Sequence, residues 1–208
     1  ARRQRQMCIR DSIQGRSLTG PKSPDKAADS ILVHADVRRM LLTMRSFVEG
    51  SRALAGYSAL QLDIQARDPD AEARTAAEDR LGLLTPVMKA FFTDEGSRAA
   101  NLAVQVFGGH GFICEHGIEQ FVRDARISQI YEGTNGVQAL DLVGRKLAMN
   151  GGRAVKAFFA DVAADLSEGP QEFVAPLAAA FKSLQMATVW LQQNGMQNPD
   201  HLGGVSVA

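Results

Sequence analysis

A single carboxylate, Glu132, stands between an aromatic residue and a glycine in the stretch IYEGT, residues 130–134. Such a carboxylate can stabilise the N-terminus of a following helix through the helix dipole. It can also act as a general base at the edge of a pocket, where Gly133 would let a flat ligand approach the backbone and Tyr131 would supply an apolar wall. A ligand that excludes water makes a carboxylate a stronger base. Taken alone, the pattern favours the helix-terminal role.

A second candidate site is the glycine-rich stretch that follows Gln105 and contains Gly108, Gly109 and Gly111. Glycines spaced this closely allow positive φ angles and close approach of a ligand to the backbone. The stretch follows a helical pattern and not a strand, so it is not a Rossmann fingerprint. Glycines often end helices, and the spacing alone favours that structural role. The four histidines show no metal-ligand spacing, so no metal site is expected.

The composition is typical of a folded globular protein. Of the 208 residues, 45% are hydrophobic and 22% are charged, and the formal net charge is zero. This balance gives no indication of a nucleic-acid partner or an acidic lipid surface. No apolar run is expected to reach the ~20 residues that span a bilayer, so no membrane partner is predicted. The two cysteines form no CxxC pair, and the N-terminus lacks a secretory pattern; both favour a cytoplasmic location.

Apolar residues recur at helical spacing along most of the chain, and no strand pair is apparent. The predicted helices cover residues 34–66, 81–106, 117–125, 134–149, 153–167 and 171–195. Residues 67–80 are expected to form a polar connection followed by a helix entry, and 126–133 an irregular segment. Thr134 or Asn135 is a suitable N-cap for the helix that follows. The pattern predicts an all-α antiparallel helical bundle with additional C-terminal helices.

The chain divides into three segments by composition and periodicity. Residues 1–12 lack periodicity and are expected to be foreign or disordered. Residues 13–149 form the predicted helical domain, and residues 150–208 a C-terminal helical extension. The chain has no methionine at position 1, and it stops where a new apolar segment begins. We therefore expect a fragment whose extension is truncated.

Several motifs together resemble the acyl-CoA dehydrogenase family. They are QVFGGHGF at 105–112 and RDARISQIYEGTNGVQALDLVGRK at 123–146, in this order and spacing. QGRSLTG at 14–20 and HADVRRMLLTMRSFVEGSRAL at 34–54 extend the likeness, which covers the family's C-terminal helical domain over about 14–147. The tail from Leu147 onward is similar to the branch of the family that acts on 3-methylmercaptopropionyl-CoA.

The resemblance implies an FAD-dependent α,β-dehydrogenation of an acyl-CoA thioester to the 2-enoyl-CoA. In this scheme Glu132 removes the α-proton, while the β-hydrogen leaves as hydride to the flavin. Tyr131 and Gly133 are the implied substrate contacts. The reduced flavin would pass its electrons to an electron-transfer flavoprotein, which makes the protein an oxidoreductase acting on a CH–CH group.

The same resemblance implies how FAD is held. Gln105, Gly108 and Gly109 are the candidates that reach the FAD of a neighbouring subunit, and Thr134 and Gly136 lie near its phosphates and adenine. A site shared in this way implies a homodimer or homotetramer. The family's pyrophosphate-binding arginine is replaced here by Ser12, in the segment expected to be foreign. Because the domains that cover flavin and substrate are absent, we expect the fragment alone to be inactive.

Three alternatives remain open at this point. The first is an acyl-CoA oxidase, which passes electrons to oxygen. The second is a non-catalytic flavoprotein of the same fold, against which the intact Glu132 and the zero net charge both argue. The third is a helical assembly domain whose role is oligomerisation.

Overall fold

The computed structural model describes residues 11–206, and this part of the chain is helical. Its α-helices are α1 (Ala35–Arg67), α2 (Ala71–Phe107), α3 (Gly109–Phe112), α4 (Glu119–Ser128), α5 (Asn135–Asp141), α6 (Arg153–Glu168), α7 (Gln171–Asn194) and α8 (Pro199–Val205). Short 3₁₀ turns lie at Ile31–Val33, Cys114–His116, Met149–Gly152 and Gly195–Gln197, and a π-helical turn at Leu142–Lys146. Within residues 11–206 the β-structure is limited to one isolated bridge between Ile13 and Ser30, which confirms the all-α prediction.

Two compact units share the chain, and each is built from two chain segments. Unit 1 comprises the described residues up to Ala53 together with Thr93–Ser128. Unit 2 comprises Leu54–Phe92 together with the described residues from Gln129 onward. The long helices α1 and α2 therefore each contribute residues to both units.

Helix α2 begins at Ala71, well before the predicted start at residue 81. Only residues 68–70 connect it to α1, so most of the predicted polar connection is helical. The carboxylate of Asp70 accepts a hydrogen bond from the backbone N–H of Glu72 at 2.9 Å, which caps the new helix. Alanines then provide high helix propensity, and Ala77 is fully buried. The polar composition of residues 67–80 gave no indication that the start of α2 has a buried face.

The helix that begins after Thr134 is shorter than predicted. Regular α-helix ends at Asp141, and the π-helical turn Leu142–Lys146 follows. The chain is then turned by Asn150 and Gly151, which have φ angles of 53° and 67°. The predicted regular helix to Met149 is therefore wrong, although the chain does change direction just after that residue. Helix α4 also extends past its predicted end, to Ser128.

The core of unit 2 lies where α6 packs against α2. Leu83 of α2 and Ala154 and Val155 of α6 are buried together. Partly buried hydrophobic residues surround them: Leu142, Leu147, Phe158 and Phe159. Burial of such side chains contributes roughly 25 cal/mol per Å² of apolar surface removed from water.

Two ion pairs also join α6 to α2 within unit 2. Arg153 contacts Asp79 with an Nη2–Oδ1 distance of 3.0 Å, and Arg80 contacts Asp161 with an Nη2–Oδ2 distance of 3.0 Å. Asp79 is buried, and the hydrogen bond from Arg153 is the main cause that lowers the pKa of its carboxyl group. The first residues of the predicted extension are therefore tied electrostatically to α2.

One buried carboxylate, Asp29, organises the segment of unit 1 that precedes α1. Its oxygens accept hydrogen bonds from the backbone N–H groups of Ser17 (2.9 Å), Lys22 (2.9 Å) and Ser23 (2.8 Å). The Arg16 guanidinium lies 3.3 Å away. These donors, Ser17 foremost, lower the pKa of Asp29 to about 2. Asp29, which the sequence analysis did not single out, thus holds this segment together through hydrogen bonds.

Helix α7 is long and apolar enough to cross a membrane, by length and composition only. Its most apolar window has a mean hydropathy of 1.2, and 6% of that window is buried. Among the helices of the described chain, α7 alone meets this criterion. The sequence analysis expected no segment long and apolar enough to span a bilayer, and α7 contradicts that expectation. Apolar helices that pack against other parts of a protein meet the same criterion of length and hydropathy.

The stability of the protein should fall in acid as Asp29 is protonated. The folded-state pKa of about 2 lies below the unfolded value of 3.8, so the folded state binds fewer protons. The contribution of Asp29 is complete above about pH 4 and is lost progressively as the pH falls towards 2. Urea denaturation between pH 2 and 5 measures this slope. Asp29→Asn should have a flatter slope, and equal slopes would contradict the assignment.

Replacing Arg153 by Met should destabilise unit 2. The Asp79 side chain, 6% exposed, would lose its guanidinium partner. We expect the free energy of unfolding to fall by about 1–3 kcal/mol at neutral pH, measured by urea denaturation. The matched control is Arg145→Met, because the Arg145 side chain is 66% exposed in its pair with Asp141. That control should lose less than about 0.5 kcal/mol, and equal losses would refute the difference in burial.

Candidate functional site

The turn that carries Glu132 lies in unit 2, where it precedes α5. The backbone N–H of Asn135 donates to the carbonyl of Gln129 at 3.2 Å, which closes a loop over residues 129–135. At the end of this loop, the Thr134 hydroxyl accepts a hydrogen bond from the backbone N–H of Val137 at 3.3 Å. Of the two predicted caps, Thr134 and Asn135, Thr134 is the N-cap of α5, and both ends of the turn are fixed.

Glu132 adopts a left-handed backbone conformation with a φ angle of 52°. This region disfavours residues other than glycine, and such strain is often found at functional sites. Gly133 follows with a φ angle of 86°. A Cβ atom on residue 133 would lie 2.8 Å from Nε2 of Gln138, the mobile end of a flexible side chain, so it is the positive φ angle that favours glycine here. The two residues place the carboxylate at the outer end of the turn.

The side chains around Glu132 leave it accessible in this chain. Glu132 is exposed, and the adjacent Tyr131 is 50% exposed. Gly136 lies in the first turn of α5 and is half-buried, with the Thr134 hydroxyl oxygen 3.8 Å from where its Cβ would be. The turn therefore presents an exposed carboxylate next to an exposed tyrosine.

Two residues that the sequence analysis did not assign contact this turn. Gln138 lies beside Gly133, and its backbone N–H donates to the carbonyl of Thr134 at 3.0 Å. Asn135 was considered only as a cap, yet its side chain reaches α2. The helical spacing from Thr134 indicates that Gln138 faces the turn, whereas nothing in the spacing indicates the contact of Asn135.

The glycine-rich stretch lies in unit 1 and borders a cavity of about 830 Å³. Gly108 and Gly109 line it together with His110 and His116, whose rings meet edge to face at 5.2 Å. A Cβ atom on either glycine would meet nothing within 4 Å, so the backbone is open to a ligand. Gln105 is not among the residues that line this cavity; its carbonyl accepts a hydrogen bond from Gly108 at 3.1 Å.

Gly111 has a different role from its neighbours. A Cβ atom at this position would lie 2.6 Å from the carbonyl oxygen of Val104 and 2.8 Å from the Cβ of Phe107. Gly111 is buried, and its absent side chain lets the short helix α3 pack on the end of α2. Of the three glycines, Gly108 ends α2 as predicted, Gly109 leaves open backbone and Gly111 is needed for packing.

The candidate residues thus fall into two groups. Gln105, Gly108 and Gly109 belong to unit 1, whereas Tyr131, Glu132, Gly133, Thr134 and Gly136 belong to unit 2. The open glycine backbone and the size of the cavity fit a large ligand that is contacted through main-chain groups. No group of three or more His, Cys, Asp or Glu side chains that could hold a metal ion occurs among residues 11–206.

Comparison with known proteins shows the family. Residues 22–148 match the model of the acyl-CoA dehydrogenase C-terminal domain. The chain belongs to the acyl-CoA dehydrogenase family through this domain, as the motifs predict.

Individual relatives agree with this assignment. The chain is 46% identical to a 3-methylmercaptopropionyl-CoA dehydrogenase of Ruegeria pomeroyi, over 77% of this chain and 27% of the relative. It is 34% identical to a butyryl-CoA dehydrogenase of Syntrophomonas wolfei, over 88% of this chain and 31% of the relative. The chain is also 34% identical to a broad-specificity linear acyl-CoA dehydrogenase of Mycobacterium tuberculosis, over 78% of this chain and 25% of the relative. The chain spans between a quarter and a third of the length of these relatives.

The different roles of the glycines can be tested by adding one methyl group. Gly111→Ala should lower the free energy of unfolding by about 1–3 kcal/mol, because the new Cβ would overlap the backbone of α2. Gly109→Ala is the matched control, since its Cβ would enter open space; its stability should change by less than about 0.5 kcal/mol. Thermal and urea denaturation measure both. A larger loss in Gly109→Ala would contradict this division of roles.

Proposed function

We propose that this chain is the C-terminal part of an FAD-dependent acyl-CoA dehydrogenase in which Glu132 is the base. The observation that carries the proposal is the YEGT turn. Its carboxylate stands on a left-handed backbone between an exposed tyrosine and a glycine of positive φ, within the segment that matches the family. Strain at a non-glycine residue is retained where the surrounding structure holds it, and the caps at both ends of this turn do so.

Glu132 would remove a proton from the α-carbon of the acyl-CoA thioester. That proton is far too weakly acidic for an ordinary carboxylate with a pKa of about 4. An acyl chain that covers the turn would exclude water and increase the basicity of the carboxylate. A backbone N–H aimed at the thioester oxygen would stabilise the negative charge that develops there, and the resemblance assigns this donor to residue 132. Gly133 leaves space for the thioester, and Tyr131 provides an apolar surface.

The residues present fit a bound FAD. Gly108 and Gly109 offer open backbone at a cavity, and Gln105 precedes them on the last turns of α2. Thr134 and Gly136 lie at the start of α5, where the backbone N–H groups of a helix N-terminus favour anions. FAD, when bound, supplies the acceptor for the β-hydrogen. The shared cofactor site makes a homodimer or homotetramer the proposed assembly.

The substrate class is proposed from the relatives. The relative at 46% identity carries the name of a 3-methylmercaptopropionyl-CoA dehydrogenase, so this short thioether acyl-CoA is the first candidate. The butyryl-CoA and linear acyl-CoA dehydrogenases make short straight-chain substrates the next choice. An electron-transfer flavoprotein is the proposed acceptor and the cytoplasm the proposed location.

Replacing Glu132 by Gln in the complete enzyme that contains this chain tests the assignment. The amide keeps the shape of the side chain and removes the base, so turnover should fall by at least about 10³-fold. FAD content, measured from the visible spectrum of the purified protein, should stay unchanged. Glu172→Gln is the matched control, because Glu172 is an exposed carboxylate in the first turn of α7. That variant should turn over normally.

The outcomes of this assay separate the proposals. Turnover that persists in Glu132→Gln would reject the base assignment. Bleaching of the flavin band by 3-methylmercaptopropionyl-CoA under anaerobic conditions would support this compound as the substrate. Bleaching by butyryl-CoA alone would make a short straight-chain acyl-CoA the substrate instead. Oxygen consumption during turnover would reject the assignment as a dehydrogenase and favour an acyl-CoA oxidase. A purified enzyme without a flavin band would reject the flavoprotein proposal and favour an assembly role.

A further inference from the structure

Asn135, the first residue of α5, connects the turn of Glu132 to helix α2. Its side-chain Oδ1 accepts a hydrogen bond from Nζ of Lys89 at 2.7 Å. Its Nδ2 donates to the backbone carbonyl of Ala90, with an N–O distance of 3.4 Å. Both contacts are partly buried and span 46 and 45 residues of sequence. One amide therefore uses both its acceptor and its donor on the same stretch of α2.

The backbone of Asn135 is also where the turn closes. Its N–H donates to the carbonyl of Gln129 at 3.2 Å, and Glu132 lies midway between these two residues. The same residue thus closes the loop through its main chain and anchors it to α2 through its side chain. A displacement of Asn135 would be transmitted to Glu132 through a short segment whose conformation is already strained.

The bond from Lys89 is the stronger of the two side-chain contacts. Its donor is an ammonium group, and charge-assisted hydrogen bonds are shorter and stronger than neutral ones. Partial burial reduces the competition from water and strengthens the electrostatic attraction. Lys89 lies on a long helix, α2, that also provides the core residue Leu83, so its backbone position is well fixed.

We propose that Lys89 and Asn135 are positioning residues that hold the turn of Glu132 in the conformation required for proton abstraction. This inference rests on the proposed role of Glu132 as base. Lys89 acts through Asn135 and does not itself touch the substrate in this proposal. Misplacement of a catalytic group by about 1 Å lowers a rate by as much as about 100-fold, so the effect should be visible in the rate of the chemical step.

The central experiment uses Lys89→Met in the complete FAD-loaded enzyme. Methionine keeps the length of the side chain and removes the donor. In anaerobic stopped-flow assays at saturating acyl-CoA, the rate of flavin reduction should fall by about 10–100-fold. FAD content should not change. The half-saturating acyl-CoA concentration should change by a smaller factor than the rate, because the turn provides only some of the proposed substrate contacts but carries the base itself. An acyl-CoA deuterated at the α-carbon should show an isotope effect at least as large as in the unmodified enzyme.

A matched control and a conservative variant separate positioning from a general structural role. Lys156 is an exposed lysine of unit 2 that also donates to a backbone carbonyl, that of Gly151 at 3.1 Å. Lys156→Met should reduce flavin at the normal rate. Lys89→Arg keeps a cationic donor and should recover the rate to within about 5-fold, because its guanidinium can still donate to Asn135.

The pairing itself is tested by a double substitution. If Lys89 acts through Asn135, then Lys89→Met should have less than about a 3-fold further effect in an Asn135→Ala background. Asn135→Asp keeps the acceptor for Lys89, so it should be milder than Asn135→Ala. Should Lys89→Met fail to fold, Asn135→Ala provides the same measurement, and a normal flavin-reduction rate in that variant would overturn the proposal.

A readout without catalysis uses the chain itself. Amide hydrogen exchange of residues 129–135 should accelerate in Lys89→Met and remain unchanged in Lys156→Met, because the Asn135 amide is protected by its bond to Gln129. Unchanged exchange together with unchanged flavin reduction would reject the positioning role while leaving Glu132 as base. Normal turnover of Glu132→Gln would instead reject the base assignment, whatever Lys89→Met does, so the two failures are distinguishable.

Discussion

One backbone hydrogen bond determines the geometry of the candidate site: the N–H of Asn135 donates to the carbonyl of Gln129 and closes the loop between α4 and α5. Within this closed loop Glu132 and Gly133 both adopt positive φ angles, 52° and 86°. The Thr134 cap holds the same turn at the start of α5, and the carboxylate of Glu132 is exposed between these two fixed points.

Buried carboxylates perform a similar task elsewhere in the fold. Asp29 gathers backbone donors from a segment that has little apolar content of its own, and Asp79 ties α6 to α2 through Arg153. In both cases hydrogen bonds from several protein donors take the place of hydrogen bonds from water. These bonds favour the ionised carboxylate, so they lower the pKa of Asp29 and of Asp79. The order of polar segments in this protein therefore depends on specific hydrogen bonds as much as on apolar burial.

The family match and the compact units divide the chain differently. The match to the family domain ends at residue 148. This is close to residue 150, where the sequence analysis expects the helical domain to give way to the C-terminal extension; that boundary stays a prediction. Unit 2 nevertheless contains both the turn of Glu132 and helices α6 and α7. The shared core of Leu83, Ala154 and Val155 explains why these helices group with α2. The helices after the matched domain thus help to form the unit that carries the candidate base.

The sequence by itself determined the helical class, the positions of α1, α6 and α7, a cap at Thr134 or Asn135 and the motif around Glu132. Each of these is local, because helical periodicity, capping and glycine chemistry act over a few residues. The early start of α2 has a local cause, the Asp70 cap, which the helical periodicity did not reveal. Only the tertiary structure decided the contacts of Asp29, Asp79 and Asn135. Those features depend on partners many residues away, and polar side chains give no sequence signal of the donor they will find.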